Sequence, residues 1–144
     1  MQILTPDTET DFARYFDLRW RILRAPWGQP RGSERDNLEA SSWHCMACLS
    51  GRIPVGVARL HLNDPAQAQI RYMAVEEDCR HHGIATALAQ TLESQARELG
   101  VTEIVLQARD EALGFYTRLG YEVTGPAHIL YGSIHHTTMR KPLK

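Results

Sequence analysis

The chain has 144 residues, enough for one domain around one sizeable core. Its 16 Lys plus Arg against 17 Asp plus Glu lack the basic excess that nucleic-acid binding needs, and 43% hydrophobic with 23% charged residues is ordinary for a soluble globular protein. No charged-then-apolar leader and no bilayer-length apolar run is present, and three cysteines are an odd number for a disulfide framework, so a cytoplasmic protein with neither membrane nor nucleic-acid partners is expected.

In chain order, Gln2 to Leu4 reads as a short edge strand. Thr5-Pro6 is expected to start a helix, with Pro at the first helical position and Phe12, Phe16, Trp20 and Leu23 on its apolar face. Pro26, Gly28 and Pro30 end it. The turn-rich stretch Arg24 to Glu39 follows, as a functional wall or a solvated connection, with Ser33 placed to cap a short helix through Leu38. Trp43 to Leu49, Pro54 to Leu62 and Gln69 to Val75 form three strands of an antiparallel meander, separated by Ser50-Gly51 and Asn63-Asp64-Pro65. Cys45 and Cys48 form a C-x-x-C, but residues three apart in a strand face opposite sides, so buried thiols are expected rather than a metal or redox centre.

The loop Glu76 to His82 leads into a helix from Gly83 to Leu99, with Ile84, Leu88, Leu92, Ala96 and Leu99 on one face and Gly100 as the C-terminal cap. Glu103 to Ala108 reads as a buried strand reached by a right-handed parallel crossover. Asp110 is placed to cap a helix through Leu119 with Ala112, Phe115, Tyr116 and Leu119 on one face, ended by Gly120. Tyr121 to Val123 is a strand interrupted at Gly125-Pro126, and Ser133 to Arg140 is a last strand near an edge. His135 and His136 are adjacent in that strand and cannot chelate one metal together, so they read as polar surface. This order implies one mixed α/β domain over residues 1–144, with helices on both faces of a sheet of six to seven strands.

The chemistry concentrates at the junction after Val75. A helix leaves its first N–H groups unpaired, and its dipole makes that end an anion site. Arg80 adds charge, Gly83 admits a phosphate close to the backbone, Ala85 is small, and Thr86 brings a hydroxyl. Arg80-x-x-Gly83-x-Ala85 therefore suits a diphosphate; the plainer alternative is an ordinary strand-to-helix junction. Neither the P-loop signature nor G-x-G-x-x-G is present.

YMAV followed by Arg80-x-x-Gly83-x-Ala85, then FYTRLGYEV, then the helix and loop ahead of the meander together resemble the GNAT superfamily of N-acetyltransferases. The resemblance implies that the pantetheine arm of acetyl-CoA pairs with the backbone of Met73, Ala74 and Val75. It implies that the diphosphate sits on the N–H groups of His81, His82, Gly83, Ile84, Ala85 and Thr86 beside Arg80, and that Tyr116 is the general acid for the departing thiolate. The implied reaction is direct attack of a primary amine on the thioester, with acetyl-CoA as co-substrate and no metal. Two positions depart from the family: Gln69 stands where a Glu base is usual, and Arg109 where Asn is frequent. Glu34, Asp36, His44 and His61 are then the candidate bases. The first half, FDLRWRILRAPWGQPRGSERD, is further similar to the acyltransferase domain of bacterial GNAT–hotdog proteins, here ending at Lys144 without the hotdog domain. That likeness would put Arg21, Arg24 and Glu34 at the acceptor pocket. A non-catalytic acyl-CoA-binding module, and transfer to a carrier protein or hydroxyl, are the alternatives; the family also suggests a homodimer paired through the last strand.

Overall fold

Seven strands form one sheet in the order β1-β2-β3-β4-β5-β7-β6 in the computed structural model, which describes residues 1–144. The strands are β1 (Gln2–Leu4), β2 (Trp43–Ser50), β3 (Ile53–Asp64), β4 (Gln67–Val75), β5 (Glu103–Arg109), β6 (Glu122–Leu130) and β7 (Ile134–Pro142). Helices α1 (Glu9–Leu23), α2 (Ile84–Glu98) and α3 (Leu113–Arg118) cover its faces. The expected meander is β2-β3-β4, all antiparallel, and β5 joins β4 in parallel through the α2 crossover.

Two apolar layers sandwich the sheet. One holds Leu88, Leu92 and Ala96 of α2 and Tyr116 of α3 against Cys45, Ala58, Leu60, Ile70, Ile104 and Leu106. The other holds Tyr15, Phe16 and Leu18 of α1 against Met46, Cys48, Val57 and Ala74. Cys45 and Cys48 thus fall on opposite faces, as strand alternation requires. Gly56 lets α2 approach β3: a Cβ there would lie 2.8 Å from Ile84 Cγ2 and 3.1 Å from Leu88 Cδ1.

Several element ends differ from expectation. Thr8, not Thr5-Pro6, starts α1: its hydroxyl accepts from the Asp11 N–H at 3.1 Å and the Asp11 carboxylate accepts from the Thr8 N–H at 3.4 Å, a reciprocal cap that prevails over the proline signal. The buried stripe of α1 is accordingly Asp11, Tyr15, Phe16, Leu18 and Arg19, while Trp20 is half-buried and donates Nε1–H to the Gln29 carbonyl at 3.0 Å. No helix follows Ser33; its hydroxyl donates back to the Pro30 carbonyl, and a short 3-10 turn at Glu39–Ser41 comes later. Gly83 is the N-cap of α2 rather than its first residue, and α3 is shortened by a 3-10 turn at Asp110–Ala112. Gly125-Pro126 does not interrupt β6. As an edge strand it needs no donor at Pro126, and it absorbs the irregularity as two register shifts. The last strand, β7, lies inside the sheet between β5 and β6, so β6 is the edge.

Candidate active site

Strands β4 and β5 pair only at their start, through Gln67–Glu103, Ala68–Ile104 and Gln69–Val105. Beyond that they separate. The cause lies in β4, where Tyr72 has φ 60° and the register against β3 jumps from Arg59–Arg71 to Val57–Ala74. Two residues, Tyr72 and Met73, oppose the single Ala58, a bulge that bends the strand away from β5. A tyrosine in the left-handed region costs about 1–2 kcal/mol, strain of the kind that gathers at functional sites.

The separation opens a cleft of about 670 Å³. Its walls include Met73, Ala74, Val75, Arg80, His81, Ile84, Ala85 and Tyr116. Eight of the eleven residues expected at the site therefore meet in one cavity. His82, Gly83 and Thr86 do not line it; they lie beside it in the turn and the first turn of α2.

The turn itself is shaped for an anion. Arg80 N–H bonds the Glu77 carbonyl and Ala87 N–H bonds the Gly83 carbonyl. Between them the six N–H groups of residues 81 to 86 have no partner within the protein. His81 at φ 66° and Gly83 at φ 78° turn the chain so that these donors precede the helix dipole. A Cβ on Gly83 would meet nothing within 4 Å, so the space above the glycine is open. Arg80 reaches back, Nε donating to the Val75 carbonyl at 3.3 Å. This donor set fits a diphosphate, and the unpaired edge of β4 fits an extended arm with amide groups.

Tyr116 is buried and lines the cleft on the α3 side, its ring edge-on to Phe115 at 4.9 Å and to Tyr121 at 5.7 Å. Its hydroxyl has no protein partner, and burial pushes its pKa up to about 12, so the phenol keeps its proton.

The four candidate bases are elsewhere. None of Glu34, Asp36, His44 and His61 lines the cleft. Glu34 accepts from the Gly32 N–H at 2.8 Å. His44 is bonded at both nitrogens, to Tyr15 Oη and the Glu39 carbonyl, each at 2.8 Å. His61 accepts from Arg59 at Nδ1 and bonds Asn63 at Nε2. Asp36 takes two hydrogen bonds from Arg59, at 2.6 and 2.9 Å. Burial would raise its carboxyl, but the Arg59 guanidinium holds it well below the usual carboxylate range. Of the three residues expected at an acceptor pocket, Arg24 lines the cleft, while Arg21 bonds Asp17 and Glu76 and Glu34 faces its own loop.

The structure adds two residues to the cleft. His128 of β6 and His136 of β7 stack with ring centroids 4.3 Å apart. His136 Nδ1–H donates to the Ile134 carbonyl at 3.1 Å, which puts the lone pair of the neutral ring on Nε2. Burial, then the neighbouring His128, lowers its pKa below the ordinary histidine value. His136 reads as polar surface in the sequence because the register shifts of β6 that bring His128 onto it leave no local signal.

Residues 12–121 match the family described as the acetyltransferase (GNAT) family, which is most of the chain. The chain belongs to this family, and is an acetyltransferase by class. It is 26% identical over 141 residues to the uncharacterized N-acetyltransferase YjcF of Bacillus subtilis, covering 98% of this chain and 99% of that one. It is 29% identical over 123 residues to human N-acetyltransferase 8B, covering 74% and 54%. An aminoglycoside 6'-N-acetyltransferase solved in complex with coenzyme A shares the fold at TM-score 0.82 and 18% identity, over 99% of this chain and 97% of that one. The Escherichia coli ribosomal-protein-S18-alanine N-acetyltransferase shares it at TM-score 0.78 and 19% identity, over 99% and 94%.

Proposed function

We propose that residues 1–144 form a single cytoplasmic domain that transfers the acetyl group of acetyl-CoA directly to a primary amine. The reading rests above all on the parting of β4 and β5 directly below six unpartnered N–H groups. The diphosphate would occupy the N–H groups of residues 81 to 86 beside Arg80. The pantetheine arm would run along Met73, Ala74 and Val75, on the strand edge that β5 leaves unpaired. The thioester supplies the activated acyl carbon.

The residues then divide the protons. His136 takes one proton from the acceptor nitrogen at Nε2, which allows the new C–N bond to form. The C–S bond breaks as the Tyr116 hydroxyl donates to the departing sulfur, giving the free thiol. With a pKa above that of a thiol, Tyr116 acts first by hydrogen-bonding the developing thiolate, and proton transfer follows as the sulfur leaves. Gln69 is at the cleft wall, where its amide oxygen accepts from Asn63 Nδ2 at 3.1 Å. An amide cannot serve as a base.

That amide is also the one observation favouring a non-catalytic acyl-CoA-binding module. Tyr116→Phe separates the two readings. For the transferase, kcat falls by roughly 10²-fold while acetyl-CoA affinity holds. A wild type that binds acetyl-CoA but releases no thiol with any amine would favour the module.

A further inference from the structure

Among arginines withdrawn from solvent, Arg19 and Arg59 are fully buried and bonded to carboxylates, and Arg140 is bonded to Glu103. Arg24 and Arg109 are the exceptions. Arg24 is 8% exposed at the end of α1, and it donates only to the carbonyls of Ser33 and Leu23, at 3.1 and 3.2 Å. The Arg109 side chain, half-buried at the end of β5, makes no hydrogen bond and no ion pair within the protein. Both line the cleft, and they are close enough to repel: burial lowers the Arg109 pKa most, Glu111 draws it back up, and Arg24 pushes it down by less than Glu111 raises it. Glu111 is the one carboxylate on the cleft wall, and it pairs with neither. Removing unpaired cations from water is costly, so their placement calls for an anion from outside.

This pair is separate from the diphosphate receptor. Ala108 packs in the layer beneath α2 and α3, so Arg109, next to it in the strand, points to the α1 face, beside its cross-strand partner His136. Arg24 comes from α1 on that face, under the ring of Tyr131 at 5.9 Å from the hairpin between β6 and β7.

We infer that the acceptor is an amine carrying its own anionic group, a carboxylate or a phosphate, held by Arg24 and Arg109 so that its nitrogen meets His136. Two guanidinium forks suit either anion. The inference rests on the acetyl-transfer reading and specifies its second substrate. It predicts that cationic polyamines are poor acceptors.

The test measures thiol release from acetyl-CoA with L-glutamate, glycine and O-phosphoethanolamine. Each is set against a partner lacking the anion: glutamate diamide, glycinamide and ethanolamine, with spermidine as the cationic case. The expected result is at least tenfold higher kcat/KM for the anionic member of a pair, and the carboxylate and phosphate arms then identify the anion. Arg109→Gln, which breaks no bond within the protein, should raise the acceptor KM at least tenfold with acetyl-CoA affinity within twofold of wild type. Arg109→Glu should turn preference toward spermidine. Equal or better use of neutral or cationic amines overturns the inference while leaving the transferase reading intact. So does an Arg109→Gln variant that loses acetyl-CoA affinity instead of acceptor affinity. Calorimetric titration of the same amines into the CoA-loaded protein gives a second readout; no binding by any anionic amine also overturns it. A wild type that binds no acetyl-CoA removes the transferase reading itself.

Discussion

Tyr116 and His136 are placed at the cleft by different means, and the difference governs how each can be tested. Tyr116 sits on a three-sided apolar contact with Phe115, Tyr121 and the strand layer, so Tyr116→Phe keeps the packing and deletes only the hydroxyl. The expected loss is therefore in kcat and not in thermal stability. His136 stacks on the His128 ring from β6 and lies across the ladder from Arg109 of β5. In the proposed role of proton acceptor it must be neutral. Its pKa is lowered, so kcat should hold its plateau down through the ordinary histidine value of about 6.5 and fall only at more acidic pH. A kcat–pH profile of His136→Gln should lose this acidic limb. Retention of the limb would assign it to another group.

At the scale of elements, the helix α2 and the strand β4 carry the site. The α2 helix was legible because its apolar period and its terminal Gly100, at φ 78°, are both local signals. The β4 strand was legible as a strand, but its bulge was not. Nothing in Gln-Ile-Arg-Tyr-Met marks Tyr72 for a positive φ; only pairing with β3 on one side and release from β5 on the other impose it. The same limit explains His128 and His136, whose meeting depends on the register of the edge strand, and Gly56, whose reason is a helix packing across from it. Gly56→Ala would force its Cβ against the side chains of Ile84 and Leu88, costing about 1–3 kcal/mol and tilting the start of α2. Thermal melts should show the destabilisation, and acetyl-CoA affinity should fall with it, because the same helix end carries the proposed diphosphate site. Leu88→Ala, at a fully buried position, should cost about 2–5 kcal/mol without adding any clash.

Across the whole molecule, the loop between α1 and β2 is neither a free lid nor a solvated connection. Two fully buried arginines reach into it from the α1 layer. Arg19 donates to Glu39 at 2.9 Å and to the Glu34 carbonyl at 3.1 Å, and Arg59 grips Asp36 and Glu39. Both guanidiniums lie over the ring of Tyr72, at 4.4 and 4.8 Å, which ties the loop to the bulge itself. The buried partners of Asp36 and Glu39 stand twenty residues away or more in the chain, so no local signal marks the network. Arg59→Met would strip Asp36 of its buried partner and leave Glu39 to Arg19 alone, and a loss of about 3–5 kcal/mol in denaturant unfolding is expected. The depressed Asp36 carboxyl gives this network a pH signature. Its stabilisation is complete above the unfolded carboxylate pKa of about 4 and is lost as pH falls below it, so the acid limb of stability should weaken in Arg59→Met.

The claim on which all of this turns is that the cleft between β4 and β5 receives acetyl-CoA with its diphosphate on the N–H groups of residues 81 to 86. Calorimetry of acetyl-CoA against wild type and Gly83→Glu tests it directly. The glutamate side chain enters space that is open in the protein and brings a negative charge to the place of the diphosphate. One-to-one binding is expected for the wild type and none for a Gly83→Glu variant whose circular dichroism shows it folded. A folded wild type that binds neither acetyl-CoA nor a longer acyl-CoA, or a Gly83→Glu variant that binds as well as wild type, would contradict the claim.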